Sequence, residues 1–194
     1  MTALILASGS SIRRKMLEDA GVEFEVVRPD VDESAAKADQ PDLDSVARAL
    51  AEAKAVSVSA LRPEAWVIGS DSVISVDGKL FSKPRSREEA VEHLRFFSGK
   101  NMQLVSAAAI ARNGEVDWSH VGQAVLEVRE LSDRFIESYL DAEWPAVGET
   151  VGVFRMEGRG VQLFHSLLGG HFTILGMPLL PVLKRLRKHG LLLA

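Results

Sequence analysis

Residues 4 to 17 read Leu-Ile-Leu-Ala-Ser-Gly-Ser-Ser-Ile-Arg-Arg-Lys-Met-Leu. An apolar strand runs straight into Ser8, Gly9, Ser10 and Ser11. A helix then begins, with Arg13, Arg14 and Lys15 in its first turns. Small residues let a ligand approach the backbone closely. The unpaired N–H groups of a helix start favour an anion, and arginine grips phosphate oxygens with a fork of donors. Cations near a helix N-terminus oppose its dipole, so this turn is slightly unfavourable unless an anion sits there. The segment alone supports two readings, a phosphate cradle at the end of a strand or a solvated basic turn. It is neither a Walker loop nor a dinucleotide fingerprint, because G-x-x-x-x-G-K-[ST] and G-x-G-x-x-G are both absent from the chain.

The chain has 194 residues, 46% hydrophobic and 26% charged. That is ordinary for a globular protein of one domain, or one domain with two lobes. A formal net charge of -4 argues against wholesale binding to nucleic acid or an anionic membrane, although a local basic pocket remains compatible with it. With no cysteine, disulfides, thiolate nucleophiles and cysteine metal sites are excluded. His93, His120, His165, His171 and His189 show no metal-ligand spacing and read as structural. Any metal is then a hard cation held by carboxylates. The apolar start is too short for a signal-peptide core, and 174–183 is broken by Gly176, Pro178 and Pro181. The expectation is a cytoplasmic protein with no membrane or nucleic-acid partner.

Periodicity predicts a strand over 3–7, a helix over 11–20 stopped by Gly21, and a strand ending at Arg28-Pro29. Asp30-Val31-Asp32-Glu33-Ser34 is an acidic turn, readable as a solvated loop or as a cation site. The next helix, over 42–61, has an apolar stripe of Leu43, Val46, Ala47, Leu50, Val58 and Leu61. Lys54 falls inside that stripe, so it either meets an anionic partner in a cleft or snorkels to the surface. Residues 66–76 read as buried strand with Asp71 in the middle, followed by an Asp77-Gly78 hairpin turn. Aspartate is disfavoured in a strand and expensive to bury unpaired, so a functional carboxylate is the better reading than a turn cap. Lys83 follows on a loop stiffened by Pro84.

A capping box, Ser86-Arg87-Glu88-Glu89, opens a helix to Phe97. Residues 103–111 and 116–128 alternate like a hairpin around Asn113-Gly114. Ser132 starts another helix, and Gly148, Gly152, Gly158 and Gly160 mark a loop-rich region. The last helix, over 179–189, carries Lys184, Arg185, Arg187 and Lys188, which read as a solvated helix end.

Taken in order, these segments resemble the Maf family of nucleoside triphosphate pyrophosphatases along essentially the whole chain. The family's L-A-S-x-S-P-R-R is similar to Leu6-Ala7-Ser8-Gly9-Ser10-Ser11-Ile12-Arg13-Arg14, and its D-E pair to Asp32-Glu33. Ala51-Glu52-Ala53-Lys54-Ala55, Gly69-Ser70-Asp71-Ser72-Val73, Lys83-Pro84, the Leu94 to Lys100 stretch and Gly176-Met177-Pro178-Leu179 match its later motifs. The resemblance implies one Maf-like domain over 1–194. Its fold would be α/β and Maf/ITPase-like, a mixed twisted β-sheet flanked by helices, with two lobes and a central cleft. It also implies hydrolysis of a nucleoside triphosphate to the monophosphate and diphosphate with a divalent cation, magnesium or manganese. Asp71 would be general base or metal ligand and Glu33 would share the metal. Ser8, Arg13 and Lys54 would bind substrate, and Lys83 would act beside Asp71 in catalysis. Homodimers are common in the family. Family analogy also suggests a role in clearing modified nucleotides before their incorporation into nucleic acid.

Three positions sort the family by base, and here they hold Ile12, Ser72 and Glu157. This pattern matches neither the dTTP/UTP-type nor the 7-methyl-GTP-type subgroup in full. Glu157 leans toward the second, because a carboxylate can accept from the adjacent N–H donors of guanine. Ile12 can neither stack like tryptophan nor donate like arginine. The alternative function is a non-catalytic nucleotide-binding regulator of cell division and septum formation. It needs the cradle, but it needs neither Asp71 beside Lys83 nor an acidic cation loop.

Overall fold

β1 (Leu4–Ala7) is buried along its whole length, and its side chains divide between two apolar layers. Leu4 and Leu6 join a core with Met16, Leu17, Ile68 and Val182, whereas Ile5 and Ala7 pack with Val58, Ala65 and Val67. Successive residues of a strand point to opposite faces, so a strand with no polar position must be covered on both. The computed structural model, which describes residues 3–34, 40 and 42–193, shows the covers. Core residues from α1 (Ser11–Asp19) and α6 (Leu179–Lys188) lie on one face, and α2 (Leu43–Leu61) supplies the other.

β2 (Glu25–Val27) and β3 (Trp66–Val76) flank β1, both parallel to it, with Ile5 opposite Glu25 on one side and Val67 on the other. β4 (Lys79–Phe81) turns back antiparallel on β3 through Asp77 and Gly78, at φ 51° and 74°. Two consecutive positive φ angles are the signature of the tight hairpin turn whose twist suits the strands. β5 (Asn101–Arg112) and β6 (Glu115–Val128) form a second hairpin at Asn113-Gly114, and β7 (Phe164–Gly169) pairs antiparallel with β6. The strand order is β2-β1-β3-β5-β6-β7 with β4 beside β3, a mixed seven-stranded sheet of an α/β protein.

The chain divides into two compact units. The first comprises Met1–Ser72, Val105–Gly122 and Gly170–Ala194; the second comprises Val73–Leu104 and Gln123–Gly169. β3, β5 and β6 each pass from one into the other. In the second unit, α3 (Arg87–Phe97) and α4 (Asp133–Glu143) are joined by Arg87, which reaches Glu137 at 2.9 Å and Asp141 at 2.6 Å. Among the described residues no helix is long and apolar enough to cross a membrane.

The elements begin and end within a residue or two of where the sequence puts them. Asp42 caps α2 by accepting from Ser45 N at 2.8 Å, and Ser86 caps α3. Two features differ. The region read as loop-rich is followed by β7 and the short α5 (His171–Leu175), neither of which a periodic pattern announces. The basic end of α6 is exposed at Lys184, Arg187 and Lys188, as expected, and differs at Arg185. Arg185 lies 2.7 Å from Asp117 on β6, and His189 lies 2.8 Å from the same carboxylate while stacking on Trp66. That end of the helix is therefore stapled to the sheet, and His189 has the structural role its sequence context suggested.

Candidate functional site

The turn after β1 is held by its own serines. Ser8 Oγ accepts from Ser10 N at 3.2 Å, and Ser10, the N-cap of α1, accepts from Arg13 N at 3.5 Å. This is N-capping in the ordinary sense, a side-chain oxygen satisfying a donor of the first turn. It places Arg13 on the inner side of that turn with its side chain only 11% exposed. The guanidinium donates through Nε to Gly176 O at 2.8 Å, through Nη1 to Ser8 Oγ at 3.4 Å and through Nη2 to Ser72 Oγ at 3.0 Å. Gly176 ends α5 in the left-handed region, at φ 111°. Only glycine adopts that conformation without strain, and a Cβ there would sit in ordinary contact with Ser72 and Arg13. Burial lowers the Arg13 pKa from its ordinary value, while the charges of Asp71 and Glu33 push the other way.

The alternation of β3 sorts the other groups. Val67, Gly69 and Asp71 face α2; Ile68, Ser70 and Ser72 face the opposite layer. At Gly69 the backbone of Ala51 and Ala55 in α2 occupies the place where a side chain would project. The helix therefore lies unusually close to the strand, and Lys54 reaches Asp71 Oδ1 at 2.9 Å. The same ammonium is 2.8 Å from Glu33 Oε1, and Arg13 Nη2 is 3.9 Å from Asp71 Oδ1. Lys54 and Asp71 are 11% and 14% exposed, while Glu33 is about half exposed. The lysine inside the apolar stripe thus has its anionic partner, and the aspartate inside the buried strand has two cations.

The structure therefore brings Ser8, Arg13, Glu33, Lys54, Asp71 and Ser72 together. Ile12 lies half-buried one residue before Arg13 on α1. Lys83 and Glu157 belong to the second unit. There Lys83 is exposed, with Nζ 3.4 Å from Glu149 Oε2, and Glu157 accepts from Arg155 Nε at 3.2 Å. Sequence reasoning missed Ser106 and the carbonyl of Gly176, which meet Ser72 or Arg13, and Ser70 and Thr173, which bond to those two in turn. Ser106 carried a faint signal as the one hydroxyl inside the apolar run from Leu104 to Ala111.

A buried guanidinium and an ammonium converging on a strand carboxylate, beside a small-residue turn, make this a candidate site for an anion in an α/β protein. Comparison with known proteins shows the family. Residues 3–189 match the family model described as Maf-like protein. The chain is 44% identical over 191 residues to the 7-methyl-GTP pyrophosphatase of Rhizobium etli, with 96% of each covered. It is 44% identical over 194 residues to the nucleoside triphosphate pyrophosphatase of Ruegeria pomeroyi, with 97% of each covered. A solved structure it resembles more distantly is the Staphylococcus aureus Ham1 protein, at 15% identity over 68% of this chain and 72% of that one, with a TM-score of 0.43. The chain belongs to the Maf family.

Proposed function

We propose that this protein hydrolyses a nucleoside triphosphate between its α- and β-phosphates, releasing the monophosphate and diphosphate. The observation that carries the reading is the meeting of Arg13, Lys54 and Asp71, with Glu33 on the same ammonium. Fixed cations in a mostly buried site suit a polyanion whose charge shifts as diphosphate departs. The names carried by relatives at 44% identity support a triphosphate as substrate.

Arg13 and Lys54 bind phosphate oxygens, and Ser8 with the N–H groups of the first turn of α1 adds hydrogen bonds. Asp71 is engaged by Lys54 through Oδ1. Its Oδ2 takes the proton of the water that attacks the α-phosphorus. Glu33 and Asp71 suit a hard divalent cation, magnesium or manganese, since both present oxygens to one ammonium. Among the described residues no group of three or more His, Asp or Glu side chains could hold a metal. Phosphate oxygens and water would complete the coordination, as is usual for magnesium. Such a cation, when bound, neutralises charge on the phosphates.

The base is a purine, and 7-methylated guanine is the leading candidate. The name of the Rhizobium etli relative supports this. Removal of such modified nucleotides before incorporation is the corresponding cellular role.

The decisive measurement is diphosphate release from a panel of 7-methyl-GTP, GTP, dTTP and UTP by the wild type and Asp71→Asn. The variant should lose at least about a hundredfold in kcat, in the range of a missing general base; near wild-type turnover excludes Asp71 from that role. Chelation should abolish activity and added magnesium or manganese should restore it; indifference to chelator removes the cation from the scheme. Faster turnover of dTTP and UTP than of both guanosine substrates overturns the purine preference.

A further inference from the structure

We infer that Ser106 is a positioning residue for the substrate-binding arginine, acting through Ser72 on the guanidinium of Arg13. The inference deepens the reading above, because it rests on Arg13 holding the triphosphate. Proton accounting carries it. A hydroxyl has one proton to give. Ser106 Oγ, fully buried on β5, donates its proton to Thr173 O at 2.8 Å. Towards Ser72 Oγ, also at 2.8 Å, Ser106 can then only accept. The proton of Ser72 therefore points to Ser106, a shorter contact than its 3.1 Å alternative at Gly176 O. The oxygen of Ser72 is left facing Arg13 Nη2, from which it accepts at 3.0 Å.

The result is a one-way chain from Arg13 Nη2 to Ser72, Ser106 and the carbonyl of Thr173. Hydrogen bonds aligned in one direction polarise and strengthen one another, more so where little water screens them. The second leg is direct, from Arg13 Nε to Gly176 O at 2.8 Å. Both legs end on α5 and its C-cap, so a single short helix fixes the plane of the guanidinium. Ser106 touches neither substrate nor Arg13 in this scheme. Without it, Ser72 can donate only to Gly176 O at 3.1 Å, the carbonyl that already serves Arg13 Nε, so both legs would converge on one acceptor. The guanidinium would then keep its direct bond to Gly176 O and the 3.4 Å contact to Ser8 Oγ, with Ser72 no longer held in place from β5.

The test reads Arg13 itself. The Nε–H signal of Arg13 is identified in a proton–nitrogen NMR spectrum by its loss in Arg13→Lys, and its exchange with solvent is followed in the ligand-free protein. Exchange should be faster in Ser106→Ala by on the order of fivefold, the worth of one neutral hydrogen bond, and near wild-type in Ser106→Thr, which keeps the hydroxyl. In a Ser72→Ala background, Ser106→Ala should add less than about twofold, because residues acting through one another are not additive. For catalysis, Ser106→Ala should raise KM for the triphosphate by a similar factor with kcat within about twofold. Unchanged Nε–H exchange in Ser106→Ala, or an equal effect with and without Ser72, overturns the inference. If Ser106→Thr does not fold, the Ser72 cycle alone decides. If the wild type releases diphosphate from no triphosphate, the proposed function fails, while the exchange experiment still decides whether Ser106 positions Arg13.

Discussion

Arg13 and Arg14 are neighbours in the sequence and opposites in the structure. Arg13 is buried and donates to Gly176 O, Ser72 and Ser8 at once. Arg14 is exposed and pairs with Glu18 at 2.7 Å, one helical turn away. An ammonium on a flexible stem cannot reproduce a planar fork that meets three acceptors. Arg13→Lys should therefore reduce kcat/KM by about a hundredfold, comparable with loss of a transition-state donor. Arg14→Lys should change kcat/KM by less than about twofold, since exposed ion pairs contribute little. Steady-state diphosphate release checks both, and a loss of less than about twofold in Arg13→Lys would show that charge alone is what Arg13 supplies. Arg13, Lys54 and Asp71 were legible in the sequence because each is a charge where a charge does not belong, in a helix start, an apolar stripe and a buried strand. The carbonyl of Gly176 was not. A backbone oxygen has no side-chain signature, and its arginine lies 163 residues away. Ser106 was nearly as silent, because a serine in an apolar strand reads equally well as filler.

At the scale of elements, the site depends on how closely α2 approaches β3. Gly69 permits that approach, since the backbone of Ala51 and Ala55 stands where any side chain would go. Lys54 follows in the same helix, and Asp71 lies two residues on along the same face of the strand. Gly69→Ala therefore cannot be absorbed by a rotamer change; backbone must move. Overpacking of this kind costs about 1–3 kcal/mol, measurable by urea unfolding. The same movement takes Lys54 away from Asp71, and misplacements of about 1 Å can reduce rates on the order of a hundredfold. Stability and kcat/KM should fall together in Gly69→Ala; lost stability with intact kinetics would mean that α2 tilts about Lys54 without moving it. Elements such as α2 and β3 were readable from period and caps, because one face of each is continuously apolar. β7 and α5 were not. They are only six and five residues long, and the outer strand β7 is mostly exposed, so neither carries a periodic apolar face.

At the scale of the whole molecule, the connectivity of the two compact units bears on folding. Neither unit is one continuous segment, and β3, β5 and β6 each contribute residues to both. Unfolding either unit would release strands that the other needs, which argues for a single cooperative transition of the kind small domains show. The sequence could not display this division, since each boundary falls inside or at the end of a strand, with no linker composition to mark it. The three tryptophans offer a direct check, since Trp66 and Trp118 lie in the first unit and Trp144 in the second. Trp144→Phe leaves fluorescence that reports the first unit alone. Trp66→Phe combined with Trp118→Phe leaves fluorescence that reports the second. The two variants differ in stability, so each is compared with its own far-ultraviolet circular dichroism, which reports the whole chain. Fluorescence and dichroism should give the same urea midpoint in both variants. A fluorescence transition in the Trp144-only chain that precedes its dichroism midpoint would show the second unit unfolding alone, and would mean that the shared strands do not couple the two.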